Sequence, residues 1–342
     1  MTPSGVPGYQ YLAVNAAGPV AESFGGRADV VSGRPMDAAT TMMAYSMSKT
    51  ITAAAVLQLV ENGKIDLDAS IDRYFDRNPY GPAVTVRHLL AHTAGIPNPV
   101  PLRWVHPVDR HESFDESAAL AAVLRRHPRL RWAPGAKYGY SNLGYWLLSP
   151  LIERASREPF TSYVRRHVLE PLGITPHELG YAIVDRDRHA CGYLKQWSFF
   201  NVAKGLLIDR ELVGPTTGAW VEILPHYVNG PAFGGLVGTA RAFGKFLSDQ
   251  LRPRSALFGE QARALFSEPQ RTTRGRSVAM TLGWHVGEDR GQRYFFKEGG
   301  GGGFHSMMRL HPERGIGSVV IGNGAGFDAR EHLDSADARS MV

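Results

Sequence analysis

Segments typical of β-strands lie at both ends of the chain, and this placement constrains the fold more than any other feature. Near the start, two apolar runs flank a Gly18-Pro19 turn, a pattern typical of a β-hairpin. Near the end, a turn over residues 311–315 joins the last two of four further segments. The predicted strands are Gln10–Asn15, Val20–Phe24, Thr281–Val286, Tyr294–Lys297, Phe304–Leu310 and Ile316–Gly322. We therefore expect one antiparallel sheet built from both ends of the chain, with a helical insertion between them.

Helical patterns fill the space between these strands. Apolar residues recur at helical spacing over Lys49–Asn62, and Gly63 stands where a glycine commonly ends a helix. Further helices are predicted for Glu116–Arg126 and Tyr140–Ala155, whereas Pro97–Pro107 is typical of a loop. We predict an α+β fold, in which residues 1–85 and 233–342 form one subdomain and residues 86–232 a mainly helical second one.

Composition narrows the class of protein. The 342 residues contain one cysteine, Cys191, which excludes a disulfide framework and a cysteine-based zinc site. The 38 basic residues exceed the 32 acidic ones and give a net charge of +6. These basic residues are mostly arginines scattered along the chain rather than clustered, so we expect no nucleic-acid binding. Only seven are lysines, which leaves few candidates for chemistry that needs an amine.

The sequence also lacks the patterns of membrane and export segments. The first residues have no charged region followed by an apolar one, and the most apolar stretch, Leu143–Ile152, is too short to span a bilayer. We expect a cytoplasmic protein that does not bind membranes.

Ser46 and Lys49 stand three residues apart at the start of the first predicted helix. Residues at this spacing share one helix face, so the Lys49 amine could reach the Ser46 hydroxyl. A lysine whose pKa is lowered by burial or by a second cation could accept the serine proton, and the helix N-terminus offers free N–H groups to an oxyanion. Taken alone, the pair fits a helix-capping serine with a surface lysine better than a catalytic pair.

Two further groups of residues could complete a site. Tyr140-Ser141-Asn142 opens a helical segment, and its phenol could share a proton with the serine–lysine pair. A second Tyr-x-Asn occurs at Tyr227-Val228-Asn229, so the tripeptide alone does not discriminate. Lys297-Glu298-Gly299 ends a predicted strand and leads into five glycines, Gly299–Gly303. The lysine would add positive potential, and the glycines would let a substrate approach the backbone.

In these three motifs the chain resembles the serine β-lactamase and penicillin-binding-protein superfamily, in particular its class C-like branch with the β-lactamase-like carboxylesterases. That branch has S-x-x-K, Y-x-N and K/H-x-G in this order. Longer segments are similar too: they are residues 84–97, 134–145, 234–241 and 316–323. The resemblance implies a β-lactamase/transpeptidase-like fold with the active site between its two subdomains. It also favours Tyr140 over Tyr227, because only Tyr140 lies in a matching segment.

The resemblance assigns a role to each candidate residue. It implies Ser46 as nucleophile, Lys49 as general base and Tyr140 as proton relay to the leaving group. Asn142 would position Lys49 and the substrate, and Lys297 would supply the third motif. The backbone N–H groups of Ser46 and Gly300, beside Gly299, would form the oxyanion hole.

The chain departs from the family pattern at two places. The third motif usually has Thr or Ser where this chain has Glu298, and that hydroxyl helps to bind a substrate carboxylate. If Glu298 faces the pocket, it should disfavour anionic substrates through like-charge repulsion. Ala242 replaces an acidic residue in the segment that follows residue 234, which puts a local contact there in doubt.

Other interpretations are less well supported. His88 and His92 could form a metal pair, but no third ligand is evident nearby, and we expect neither metal nor cofactor. No Gly-x-Ser-x-Gly elbow occurs for a Ser-His-Asp triad. Aromatic residues over Tyr193–Phe200 could line an acyl pocket or pack in the core.

The expected function is a serine hydrolase that forms an acyl-enzyme, acting as a carboxylesterase on small or medium esters. The alternatives are a β-lactamase, a D-amino-acid peptidase or another amide hydrolase or acyltransferase. A homologue that only binds ligands should lack the serine, lysine or tyrosine, and all three are present. The sequence leaves the oligomeric state open.

Overall fold

The computed structural model describes residues 5–75, 77–99, 104–198, 201 and 209–340. The strands are β1 Gly8–Asn15, β2 Gly18–Gly26, β3 Met42–Met43, β4 Val105–Pro107, β5 Leu179–Gly180, β6 Gly192–Lys195, β7 Val213–Thr217, β8 Trp220–Ile223, β9 His226–Val228, β10 Val237–Gly238, β11 His285–Asp289, β12 Gln292–Gly301, β13 Phe304–His311 and β14 Ile316–Gly322. The α-helices are α1 Ser48–Glu61, α2 Val86–Leu90, α3 Glu116–Arg126, α4 Asn142–Trp146, α5 Leu148–Ser156, α6 Phe160–Val164, α7 Pro231–Gly234, α8 Ala240–Leu251, α9 Glu260–Ser267 and α10 Ala329–Ser340.

The main sheet has six antiparallel strands in the order β11-β12-β13-β14-β1-β2. Strand β1 pairs with β14 in a register that sets Tyr9 opposite Gly322, so the two ends of the chain meet inside one sheet. The hairpin partner β2 forms the more exposed edge. The predicted antiparallel sheet built from both ends is therefore confirmed, as is the α+β class. Smaller sheets join β3-β10-β5, β4-β9 and β6-β8-β7.

Helices cover both faces of the main sheet. The side chains of β1 alternate: Leu12 and Val14 belong to the large core, whereas Tyr11 and Ala13 belong to a smaller one on the opposite face. Helix α8 packs against β1 and β14 on the first face, and α10 packs against β13 and β14 on the second. Burial on both faces explains why β1 is almost continuously apolar.

Helix α1 runs through the large core, and nearly all of its residues are buried. Its hydroxyl groups hold it in place: Thr52 Oγ1 donates to the Ala232 carbonyl at 2.8 Å, and Ser48 Oγ accepts from the Leu236 N–H at 3.0 Å. The helix ends just before Gly63, whose φ of +68° is the left-handed conformation expected of a terminating glycine. A 3₁₀ turn over Tyr45–Met47 leads directly into α1, so Ser46 lies at the buried end of a fixed helix.

Two predicted elements differ from those observed. The helix expected over Tyr140–Ala155 is divided into α4 and α5, because Pro150 has no N–H to continue the hydrogen-bond ladder. The strand expected over Thr281–Val286 begins only at His285, because Gly283 at φ +126° places a turn before it. Residues 86–232 contain α2–α6 but also β4–β9, and the division into subdomains stays a prediction.

Two sequence features remain, the aromatic segment and the absence of a membrane span. In the aromatic segment Tyr193 is fully buried and Trp197 is 89% exposed, while Phe199 and Phe200 lie outside the described residues. Within the described ranges, none of the helices has the length and apolar character needed to cross a membrane.

Candidate active site

Ser46 Oγ lies between an amine and a phenol. Lys49 Nζ is 2.9 Å from it, and the Tyr140 hydroxyl donates to it at 2.8 Å. The lysine comes from the first turn of α1, and the tyrosine comes from the segment just before α4. Two elements almost a hundred residues apart in sequence therefore meet at one hydroxyl oxygen.

Lys49 is fully buried and has no carboxylate partner in the described part of the chain. Burial, assisted by the positive charge of Lys297, lowers the pKa of Lys49 well below its ordinary value. Its Nζ also donates to the Phe233 carbonyl at 2.6 Å, which fixes the direction of the amine. A neutral amine held in this way can direct its lone pair at the Ser46 hydroxyl.

The Tyr140 ring lies close to two amines and an imidazole. Lys49 Nζ is 5.0 Å and Lys297 Nζ is 5.5 Å from the ring centroid, and the His92 ring centroid lies at 4.4 Å. Burial raises the pKa of Tyr140 above its ordinary value, although its bond to Ser46 works in the opposite direction. The phenol is therefore protonated at neutral pH, and it can donate a proton but cannot start as a base.

Lys297 lies on β12 and is fully buried. Among the described residues its Nζ has no hydrogen-bond partner, and burial lowers the pKa of Lys297 to about 7. Near neutral pH this lysine therefore exchanges between a charged and a neutral form beside Tyr140. Its charge also lowers the pKa of the buried His92, which burial already lowers, so that imidazole is neutral.

Asn142 begins α4 and is almost completely buried beside Ser46. Its backbone N–H donates to the Asn98 side chain at 3.0 Å, a contact that the sequence did not indicate. Its side-chain oxygen has no hydrogen-bond partner in the described part of the chain. The expected contact through which this oxygen would orient Lys49 is therefore not made.

The glycine run packs on the turn that carries the serine. A Cβ atom added at Gly299 would lie 2.2 Å from the Ala44 carbonyl oxygen and 3.0 Å from the Ser46 nitrogen. Gly300 lines the cavity in front of Ser46. The glycine at position 299 is thus needed for the close approach of the turn that carries Ser46, and the approach of a substrate to the glycines stays a prediction.

Glu298 lines the same cavity, which answers the question of its direction. Its carboxylate is bonded to His305 Nε2 at 2.8 Å and lies 3.8 Å from the Arg330 guanidinium. The hydrogen bond from His305 lowers the pKa of Glu298. Burial alone would lower the pKa of His305. Its contacts with Glu298 and the Phe327 carbonyl outweigh this effect and raise the pKa of His305. The carboxylate on this wall therefore accepts a hydrogen bond from His305 and is partly compensated by the Arg330 guanidinium.

Ser46, Asn142, Glu298 and Gly300 line a cavity of about 800 Å³. Its wall is mainly apolar and aromatic, with the Glu298–His305–Arg330 group and Asp328 in one part of it. The described residues that form the apolar wall are Trp104, Val105, Leu194, Val228, Phe233, Phe304, Ala325 and Phe327. The cavity can take a substrate of moderate size with an apolar group next to Ser46.

A family model described as Beta-lactamase matches residues 1–340, which is nearly the whole chain. The chain belongs to the beta-lactamase family. The family predicted from the order of the three motifs is therefore confirmed.

Two curated relatives, one named an esterase and the other a penicillin-binding protein, each match part of this chain. Esterase EstB of Burkholderia gladioli is 33% identical over 180 residues, which cover 49% of this chain and 45% of that protein. Penicillin-binding protein 4* of Bacillus subtilis (strain 168) is 29% identical over 150 residues, 44% of this chain and 33% of that protein. The matches thus span between a third and about half of these relatives' length.

Solved structures extend the likeness to the whole fold. D-amino acid amidase from Ochrobactrum anthropi SV3, complexed with L-phenylalanine, superposes with a TM-score of 0.80 at 22% identity, covering 99% of this chain and 96% of that one. The octameric penicillin-binding protein homologue from Pyrococcus abyssi gives a TM-score of 0.78 at 23% identity, covering 98% and 74%. At these identities the likeness establishes the β-lactamase/transpeptidase-like fold.

Among the other sequence candidates, His92 packs on Tyr140 and Val228 lines the cavity, whereas the remaining residues make contacts elsewhere. The second Tyr-x-Asn is in β9, where the Tyr227 hydroxyl accepts from the Ile183 N–H at 2.8 Å. His88 closes a capping box at α2, whereas His92 Nδ1 accepts from the Ser141 N–H at 3.2 Å. Across the ranges that the structure describes, no three His, Cys, Asp or Glu residues are placed to hold a metal ion. Ala242 is buried in the first turn of α8, and Thr239 caps that helix.

Proposed function

We propose that the protein is a serine hydrolase that forms an acyl-enzyme at Ser46 and acts as a carboxylesterase on small to medium esters. The observation that carries the proposal is the position of Ser46 Oγ between Lys49 Nζ and the Tyr140 hydroxyl. The depressed pKa of Lys49 supports a base at that position, and the protonated Tyr140 supports an acid.

In the proposed reaction, neutral Lys49 takes the proton of Ser46 as the oxygen attacks the ester carbonyl carbon. The negative charge that develops on the carbonyl oxygen is held by the N–H groups of Ser46 and Gly300. As the carbon–oxygen bond to the alcohol breaks, Tyr140 gives its proton to the leaving oxygen and regains one from Lys49. Water then attacks the acyl-enzyme by the reverse sequence, which releases the acid and restores Ser46.

The ester preference is supported by the cavity and by one relative. The wall is mainly apolar, and a carboxylate stands at position 298, where a hydroxyl would help to bind an anionic substrate. A matched relative is named an esterase. Because His305 and Arg330 are already paired with Glu298, neither is left free to bind a substrate carboxylate, and we expect this wall to receive neutral groups better.

An amide hydrolase is the second candidate, because an amide passes through the same acyl-enzyme. The observation that favours it is the superposition on D-amino acid amidase over nearly the full length of both chains. A β-lactamase, a D-amino-acid peptidase or an acyltransferase would use the same three side chains.

The test compares wild type with Ser46→Ala on three kinds of substrate. These are p-nitrophenyl esters of increasing acyl length, the cephalosporin nitrocefin, and D-alanine peptides with D-amino-acid amides. We expect ester turnover that is lost in Ser46→Ala, together with a mass increase of wild type by one acyl group in rapidly quenched samples. Ester turnover that persists in Ser46→Ala would refute the nucleophile. Amide or β-lactam turnover far above ester turnover would refute the substrate class.

A further inference from the structure

The residue before Ser46 has an uncommon backbone conformation. Tyr45 has a φ of +45°, in the left-handed region that costs a bulky residue roughly 1–2 kcal/mol. Such a conformation persists only where the surrounding contacts enforce it, and it often marks a functional position. The contacts of the Tyr45 side chain therefore bear directly on the placement of the next residue, Ser46.

A hydrogen bond of defined direction holds this side chain. His226 Nδ1 lies 2.8 Å from the Leu224 carbonyl oxygen, and because a carbonyl only accepts, Nδ1 carries the hydrogen. Burial lowers the pKa of His226, so the ring is neutral and its Nε2 is an acceptor. The Tyr45 hydroxyl, 2.8 Å from Nε2, is therefore the donor. Strand β9 thus anchors the tyrosine through His226.

The anchored tyrosine also fits against the glycine run. A Cβ atom added at Gly301 would lie 2.7 Å from the Tyr45 ring, and one at Gly302 would lie 2.1 Å from its hydroxyl oxygen. At the preceding residue, Ser306 Oγ on β13 lies 3.2 Å from both the Ala44 carbonyl and the Gly299 carbonyl. Ala44 and Tyr45, which precede Ser46 in the proposed nucleophile turn, are therefore both held against the paired ends of β12 and β13.

We propose that Tyr45 and His226 are positioning residues that set the spacing between the backbone N–H groups of Ser46 and Gly300. This inference rests on the proposed function, since those two groups are the proposed oxyanion hole. The hydrogen bond keeps the Tyr45 ring against the glycines, the ring keeps the turn at its positive φ, and the turn directs the Ser46 N–H toward the carbonyl oxygen. The hydrogen bond between Tyr45 and His226 therefore stabilises the transition state, in which that carbonyl oxygen is charged, more than it stabilises the bound substrate.

The test uses Tyr45→Phe, His226→Phe and the double variant, with Tyr80→Phe as the matched control. The Tyr80 hydroxyl donates to the His127 carbonyl at 2.9 Å and does not line the cavity, so its removal should leave kcat unchanged. Either single variant removes the same hydrogen bond, whose net value of about 1 kcal/mol corresponds to a roughly fivefold fall in kcat. The double variant should lose no more than a single one, because both substitutions break one interaction.

Two readouts separate positioning from a cavity-wall role. KM for p-nitrophenyl esters should stay constant for every acyl length, while the affinity for phenylboronic acid, which forms a tetrahedral adduct on serine, should fall with kcat. The inference is overturned if both single variants keep kcat and boronic-acid affinity within twofold of wild type. It is also overturned if KM alone rises, increasingly so with acyl length. Wild type that neither hydrolyses esters nor binds the boronic acid would instead refute the proposed function, and the inference with it.

Discussion

Adding one methyl group at Gly299 tests whether the nucleophile turn must lie directly on the end of β12. The new Cβ atom would be 2.2 Å from the Ala44 carbonyl oxygen, whereas real Cβ atoms essentially never come closer than 3.0 Å. The two backbone segments must therefore separate by about 0.8 Å, since the Ala44 oxygen belongs to the backbone and cannot rotate away as the Ser306 hydroxyl could. Because a displacement of about 1 Å at a reacting group costs roughly 100-fold in rate, we expect Gly299→Ala to lower kcat by about that factor.

Two quantities are measured for wild type and for each variant. They are kcat for p-nitrophenyl acetate and the rate of Ser46 labelling by a fluorophosphonate. Gly300→Ala is the first control, because its Cβ would meet only the side chain of His305 closely, at 3.1 Å, and should cost much less. Gly25→Ala is the second, with a nearest contact of 3.7 Å, and it should behave as wild type. Urea unfolding of each variant separates a displaced turn from a loss of fold, since overpacking costs about 1–3 kcal/mol. A Gly299→Ala protein that is folded and retains kcat within threefold would refute the reasoning.

Three further predictions concern proton transfer and charge. Replacing Lys297 by Met removes a positive charge that lowers the pKa of Lys49, so the rising limb of the pH profile of kcat/KM should move to higher pH. A limb that stays in place or moves to lower pH would contradict this effect of Lys297 on Lys49. Replacing Glu298 by Thr leaves Arg330 uncompensated on the cavity wall, so the ratio of nitrocefin turnover to neutral-ester turnover should rise, and a constant ratio would count against a charge effect. Replacing Tyr140 by Phe should lower kcat for alkyl esters by a factor of roughly 10²–10⁴, but much less for p-nitrophenyl esters, whose leaving group needs no proton. Equal losses for both kinds of ester would argue against Tyr140 as the proton donor to the leaving group.

The sequence contained enough to predict the main elements of the fold. The hairpin at the start and the strand–turn–strand near the end are local patterns, and their pairing was expected because each needs a partner for its apolar face. The pair Ser46 and Lys49 was readable because helical spacing is also local. The choice of Tyr140 over Tyr227 was not local, and it required the longer matching segment around Tyr140.

The groups that sequence reasoning missed are joined by long-range contacts. Nothing near residue 45 indicates that its hydroxyl will meet His226, which is 181 positions away. Glu298 was noticed as a departure, but its compensation by Arg330 depends on α10 packing against β13 and β14. The close approach of Gly299 to the Ala44 carbonyl could not be predicted either, because only the assembled structure brings these two backbone segments together.

The pairing of β1 with β14 has a consequence for biosynthesis. Ser46 and Lys49, the proposed nucleophile and base, are translated early. The strand before them, β1, pairs with β2 on one side and with β14 on the other, and β14 ends at residue 322. Until that strand has left the ribosome, β1 keeps one unpaired edge, and the sheet that supports the site is incomplete. We expect a nascent chain to gain the proposed hydrolase activity only after residue 322 has emerged, so that an unfinished chain would be inactive.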